Sequence, residues 1–116
     1  MKLVLLKTDV PNLNGRIYPR AVVEAALTSL PQPFFIQRKQ AEEGIPLLED
    51  CVGEVTSTAL EGNKLMIDCV FTDADVEAQI IAGKLHVVPA GVGMIETDKT
   101  ISDYAMVYTF LTNDPA

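Results

Sequence analysis

Residues 52–60 and 64–72 are two β-rich runs separated only by Glu61, Gly62 and Asn63. In the second run Leu65, Ile67, Cys69 and Phe71 fall on one face, and Met66, Asp68 and Val70 on the other. A period of two with one apolar face marks a half-buried strand, because successive side chains leave a strand on opposite sides. A short spacer containing Gly and Asn between two such runs reads as a hairpin loop. The pair commits this chain to antiparallel sheet.

The remaining elements arrange themselves around that hairpin. Residues 73–82 (DADVEAQIIA) have the spacing of a short amphipathic helix, with Val76, Ile80 and Ile81 on one face. Thr72 or Asp73 is placed to cap it, Asp75 suits its first turn, and Gly83 suits the left-handed position after its end. From Lys84 a β-branched run leads into a small-residue bend, Gly91-x-Gly93. Residues 2–7 read as a first strand, apolar on both faces and therefore central. Residues 8–18 (TDVPNLNGRIY) read as a loop in which Asn14-Gly15 supplies the positive φ angles of a tight turn. Tyr18-Pro19 then opens a helix with Pro19 at N1, where its missing N–H costs nothing. Val22, Val23, Ala26, Leu27 and Leu30 form the apolar stripe of that helix, and Pro31 ends it.

Residues 33–37 (PFFIQ) are a short apolar strand, and residues 38–44 a charged, solvated, mobile connection. Residues 96–103 are a polar connection, 104–111 a last strand, and 112–116 a frayed tail. Six or seven strands and two helices without βαβ alternation predict an α+β fold. The expected architecture is a mostly antiparallel, β-barrel-like sheet flanked by two helices, in one domain over residues 1–116.

Composition excludes several function classes. The net charge of −7 argues against nucleic acid or an anionic membrane as the main partner, although an acidic balance is also a common route to solubility. The N-terminal apolar run Leu3–Leu6 is too short for a signal peptide, and no stretch reaches the roughly 20 residues of a membrane helix. An intracellular protein, or one assembled inside a cell, is expected. Cys51 and Cys69 lie in separate strand-like stretches without C-x-x-C spacing and read as buried free thiols. His86, the one histidine, reads as a strand residue. Cys51 has no spacing that would make it a nucleophile for His86. Asp73, Asp75 and Glu77 lack the glycine and distal glutamate of a calcium loop and read as an acidic helix start. No cofactor or metal site is expected.

The segment Asn12-x-Asn14-Gly15-Arg16-Ile17-Tyr18-Pro19-Arg20, followed by an amphipathic helix, resembles the N-terminal signature of the tailed-phage prohead (capsid maturation) proteases. Ile45-Pro46-Leu47-Leu48 with Val52-Gly53-Glu54-Val55-Thr56-Ser57 resembles the strand pair around that family's catalytic histidine. Residues 73–83 followed by 85–91 resemble its helix and nucleophile strand. The likeness spans about residues 3 to 95. It implies the herpesvirus-assemblin type of fold, a closed or nearly closed β-barrel flanked by helices.

Two departures bear on function. Where the family has its histidine this chain holds Glu49, Asp50 and Cys51, and where it has its serine the chain holds Pro89-Ala90-Gly91. Serine proteolysis needs a hydroxyl activated by a base within hydrogen-bond reach, and proline and alanine supply none. The chain is also shorter than a full prohead protease is expected to be.

The expectation is therefore a phage virion structural protein without enzymatic activity, located on the capsid surface as a decoration or cement protein. Its expected partners are the major capsid protein and other copies of itself, reached through interfacial contacts or edge-strand pairing. Asn12, Asn14, Arg16, Tyr18, Arg20, Arg38 and Lys39 are the candidate protein-binding residues. Asn14, Gly15 and Arg16 have a structural reading too, as turn formers and barrel packing. The alternatives are an active peptidase, with Ser57 or Ser102 beside His86, a scaffold or assembly factor that leaves before maturation, and a tail or baseplate component.

Overall fold

The computed structural model describes residues 1–41 and 45–113. Six strands and two helices follow one another as β1 (Lys2–Lys7), α1 (Arg20–Leu27), β2 (Phe34–Gln37), β3 (Cys51–Glu61), β4 (Lys64–Phe71), α2 (Ala74–Ile81), β5 (His86–Ile95) and β6 (Ile101–Thr112). A single 3-10 turn, Leu48–Asp50, leads into β3.

The hairpin on which the sequence turns is β3–β4. In β4, Leu65, Ile67 and Cys69 are buried while Lys64, Asp68 and Val70 are exposed, the expected alternation. Glu61 pairs with Lys64, so the connection is tighter than the three residues anticipated. All neighbours in the sheet are antiparallel except β2 and β6, and the order β1-β4-β3-β2-β6-β5 curls into a half-barrel. Leu65, Ile36, Ile67 and Val23 lie at the centre of its core, each 1 % exposed or less. Helix α1 lies against β6, and α2 packs beside β4.

The helices form where capping and stripe chemistry place them. The Asp73 carboxylate accepts from the N–H groups of Asp75 (2.9 Å) and Val76 (3.4 Å), and Gly83 has φ +77° just beyond the end of α2. Val76 is buried and Ile80 half-buried against the core, but Ile81 is 74 % exposed. One hundred degrees past Ile80, Ile81 has rotated off the contact face. Val23 and Ala26 are the buried residues of α1, while Val22, Leu27 and Leu30 are half-buried around it. Pro19 has extended backbone (φ −60°, ψ 144°) and stands one position earlier than expected, as the N-cap.

Three strand expectations change. β1 is an edge strand, not a central one. A register shift between Val4 and Leu6 breaks its alternation, so that Leu5 and Leu6 are both buried. Its two apolar faces come from this bulge and not from neighbours on both sides. The Gly91-x-Gly93 bend is instead a register shift at Ala90/Gly91 within one continuous strand, β5. β6 begins at Ile101, so the polar connection is only the turn after Ile95, closed by Lys99 N–H to Glu96 O (2.9 Å) and Glu96 N–H to Thr100 O (2.8 Å). Part of the 38–44 connection, residues 42–44, and the tail residues 114–116 lie outside the described residues.

Candidate functional site

The segment that carries the family resemblance is a brace. Asn12 N–H donates to Arg16 O (2.9 Å), and the Asn12 side-chain oxygen accepts from Asn14 N–H and Arg16 N–H, both at 2.9 Å. Gly15 closes the turn with φ +76°, a backbone conformation that side chains with a Cβ resist, and donates to Asn12 O (2.9 Å). Beyond the turn, Ile17 N–H donates to Lys99 O (3.0 Å) and Ile17 O accepts from Ile101 N–H (2.8 Å). The loop thus pairs with the start of β6. Lys99 Nζ adds a contact to Asn14 O at 3.4 Å.

Tyr18 is buried (9 % exposed), and its ring meets Tyr104 edge-on with centroids 5.2 Å apart. Burial, and then the Tyr18 phenol, push the Tyr104 hydroxyl well above the usual range. Arg20 spans three elements. Its N–H donates to the Asp9 carboxylate (3.1 Å), Nε to Glu24 Oε1 (2.7 Å) and Nη1 to Gly62 O (2.5 Å).

Of the candidate contact residues, Tyr18 is thus within the core, and the polar groups of Asn12 and Arg20 are engaged inside the chain. Asn14, Arg16 and Lys39 are exposed, and Arg38 sits 3.6 Å from Asp73 at the start of α2. Ile17 bridges to Thr100, whereas Gln37, just before Arg38, is level with Phe110. The loop and Arg38 are thus anchored about ten residues apart along β6, while Gln40 and Ala41, just after Lys39, line the same groove as Asn12, Asn14 and Arg16.

Between the two edge strands the half-barrel opens into a groove of about 1300 Å³. Val4 and Leu5 of β1, His86 and Pro89 of β5 and Tyr104 and Tyr108 of β6 are among its walls. Ala41 N–H donates to the Tyr108 hydroxyl (3.0 Å), which draws the 38–41 segment over the strand. No aspartate or glutamate lines the groove among the described residues, although the chain holds 16. Nothing in the sequence alone locates this groove. The i, i+4 spacing of Tyr104 and Tyr108 is no guide either, because the pairing of Ala90 with Tyr108 and of Gly91 with Met106 passes over Val107 and breaks the alternation of β6 between them.

The two positions at which the resemblance expects a histidine and a serine fall at one level of the sheet. Cys51 pairs with Gln37, Gln37 with Phe110, and Phe110 with Val88, the residue before Pro89. Three strand spacings of about 4.8 Å separate β3 from β5 along that row. No residue of β5 from His86 to Ile95 carries a hydroxyl or thiol. The Cys51 thiol donates to Gly53 O (3.2 Å), and burial pushes the Cys69 thiol up to about 11.

Ser57 is committed to Asp68 Oδ2 (2.9 Å) on the β3–β4 side of the sheet. Ser102 lies ten residues along β6 from Thr112, the register partner of His86, a separation of about 33 Å. Neither serine lies beside the histidine. Among the described residues no three His, Cys, Asp or Glu side chains gather as a metal-holding group. No described helix is long and apolar enough to cross a membrane.

No family model matches this chain, and no curated protein does. Among solved structures it is similar to the bacteriophage T4 capsid assembly protease, gp21, with a TM-score of 0.83 at 15% sequence identity. The match covers 99% of this chain and 82% of that one. At such low identity the likeness is one of fold, over the whole half-barrel and both helices.

Proposed function

We propose that this chain is a phage virion structural protein: a capsid protease fold without the protease chemistry, used as a decoration or cement module on the shell. The observation that carries the reading is Pro89-Ala90 on β5, in the strand where the family resemblance places a serine, within a fold similar to that of a phage capsid assembly protease. Glu49, Asp50 and Cys51 stand where the same resemblance places the histidine. Acyl transfer through serine requires both groups, and a carboxylate is a weak substitute for imidazole as the base. The rest of the fold then serves to present surface.

The partner in this reading is the major capsid protein, bound on the outside of the shell in many copies, with other copies of the same chain as a second contact. A small domain gains avidity from engaging several sites at once. Arg16, Arg20, Arg38 and Lys39 are the exposed cationic members of the candidate contact set, and Arg20 and Arg38 are already ion-paired to Glu24 and Asp73.

Co-sedimentation tests this reading. Purified chain mixed with assembled shells should pellet saturably, with the intact mass of the capsid protein unchanged. Cleavage of the capsid protein would return the chain to the peptidases, and failure to pellet would remove the decoration role.

A further inference from the structure

Of the asparagines in this chain, Asn14 alone is followed by glycine. That pair is open to a reaction of the side chain with its own backbone. The Gly15 nitrogen attacks Cγ of Asn14 and a new C–N bond forms. The Gly15 amide proton goes to base, and the side-chain nitrogen leaves as ammonia. A five-membered imide then joins the two residues. Water opens it at one carbonyl to give aspartate, or at the other to give isoaspartate, in which the chain runs through the former side chain. Asparagine is thermolabile, and a following glycine assists the attack because no Cβ shields its nitrogen. Asn14 is exposed, so solvent water reaches it.

The folded turn opposes this chemistry. Attack needs the Gly15 nitrogen free and turned toward the Asn14 side chain, yet its N–H is donated to Asn12 O at 2.9 Å. The flanking N–H groups of Asn14 and Arg16 are both held by the Asn12 side-chain oxygen, also at 2.9 Å. Lys99 reaches over the same turn, with Nζ 3.4 Å from Asn14 O. One residue, Asn12, thus holds the three N–H groups at and around the reactive pair. An amide whose proton is bound reacts only from conformations in which that bond has opened.

We infer that Asn14-Gly15 is a deamidation site which the brace holds closed, and that the reaction, once it occurs, undoes the brace. Either product puts a carboxylate where a neutral amide stood, beside the exposed cations Arg16 and Lys99, on a chain already at −7. Isoaspartate also lengthens the backbone between positions 14 and 15 by one carbon. The Gly15 N–H is then carried away from Asn12 O, and the turn that sets Ile17 against Lys99 and Ile101 is lost. Release of ammonia makes the change one-way. This modification is independent of what the chain binds.

Mass-spectrometric peptide mapping of the full chain, incubated in mildly alkaline buffer, tests this. Unfolded in urea, the chain should gain one mass unit at Asn14 before it does so at Asn63 or Asn113. The folded parent should react at Asn14 at least about tenfold more slowly than the unfolded chain. N12A loses two of the three bonds and should react about fivefold faster than the folded parent, whereas N12D keeps the acceptor and should stay close to the parent. In the modified fraction, amide exchange at Ile17 and Ile101 should rise.

Equal rates in the folded and unfolded parent overturn the inference, and that comparison depends on no variant. So does an N12A chain with a cooperative melt that reacts no faster than the parent. Earlier reaction at Asn63 or Asn113 in the unfolded chain removes the site, and unchanged exchange at Ile17 and Ile101 after modification removes its effect on the brace.

Discussion

One side-chain oxygen of Asn12 accepts two backbone N–H groups, and Gly15 completes the turn they define. Asn12→Ala removes both bonds and is expected to lower stability by about 1 kcal/mol in urea unfolding, while Asn12→Asp, which keeps an acceptor, recovers most of it. Gly15→Val places a β-branched residue at φ +76° and should cost roughly 1–2 kcal/mol in the same assay.

Cys69 gives a pH signature. Its thiol titrates near 11 in the fold against an ordinary value of 9.0, because burial disfavours the thiolate. A raised value means that the neutral form is favoured by folding. Stability is therefore complete below pH 9 and is lost as pH rises toward 11. The decline between pH 9 and 10 should disappear in Cys69→Val, measured as unfolding free energy against pH; a slope that persists would assign it to another group.

Turn and cap chemistry is local, which is why Asn14-Gly15, Asp73 and Gly83 are legible in the sequence. The burial of Tyr18 is not, because Tyr104 comes from the other end of the chain.

For whole elements, the limits of legibility follow the range of the forces. The β3–β4 hairpin and α2 are readable because their period is set by neighbours a few residues away. Ile80 and Ile81 are separable only by the angle at which α2 meets β4. Val76→Ala should accordingly cost about 2 kcal/mol, while Ile81→Ala should stay within about 0.5 kcal/mol, in parallel thermal or urea unfolding. A reversal of that order would place the helix on its other face. The position of β1 is not legible at all, since a bulge and a central strand leave the same apolar signature. The brace couples two elements, so Asn12→Ala should raise amide exchange both in residues 12–17 and in the β5–β6 turn.

For the whole molecule, the strand order leaves β1 and β5 as edges, and the groove between them follows from that order and not from any motif. The candidate contact residues illustrate the same limit: their charges and turn formers are visible in the sequence, but the brace and the levels of β6 at which the two groups are anchored are properties of the folded sheet. The groove walls are the fold's own. The proposed function rests instead on the residues at Pro89-Ala90 and at 49–51, which are read residue by residue.

The central claim, a protease fold kept as a shell component, is tested most directly by counting. Quantitative mass spectrometry of purified mature particles, normalised to the major capsid protein, should find this chain in hundreds of copies, near one per capsid subunit or a simple fraction of that. Abundance in precursor shells with absence from mature particles would contradict the account and point to an assembly factor or a working protease.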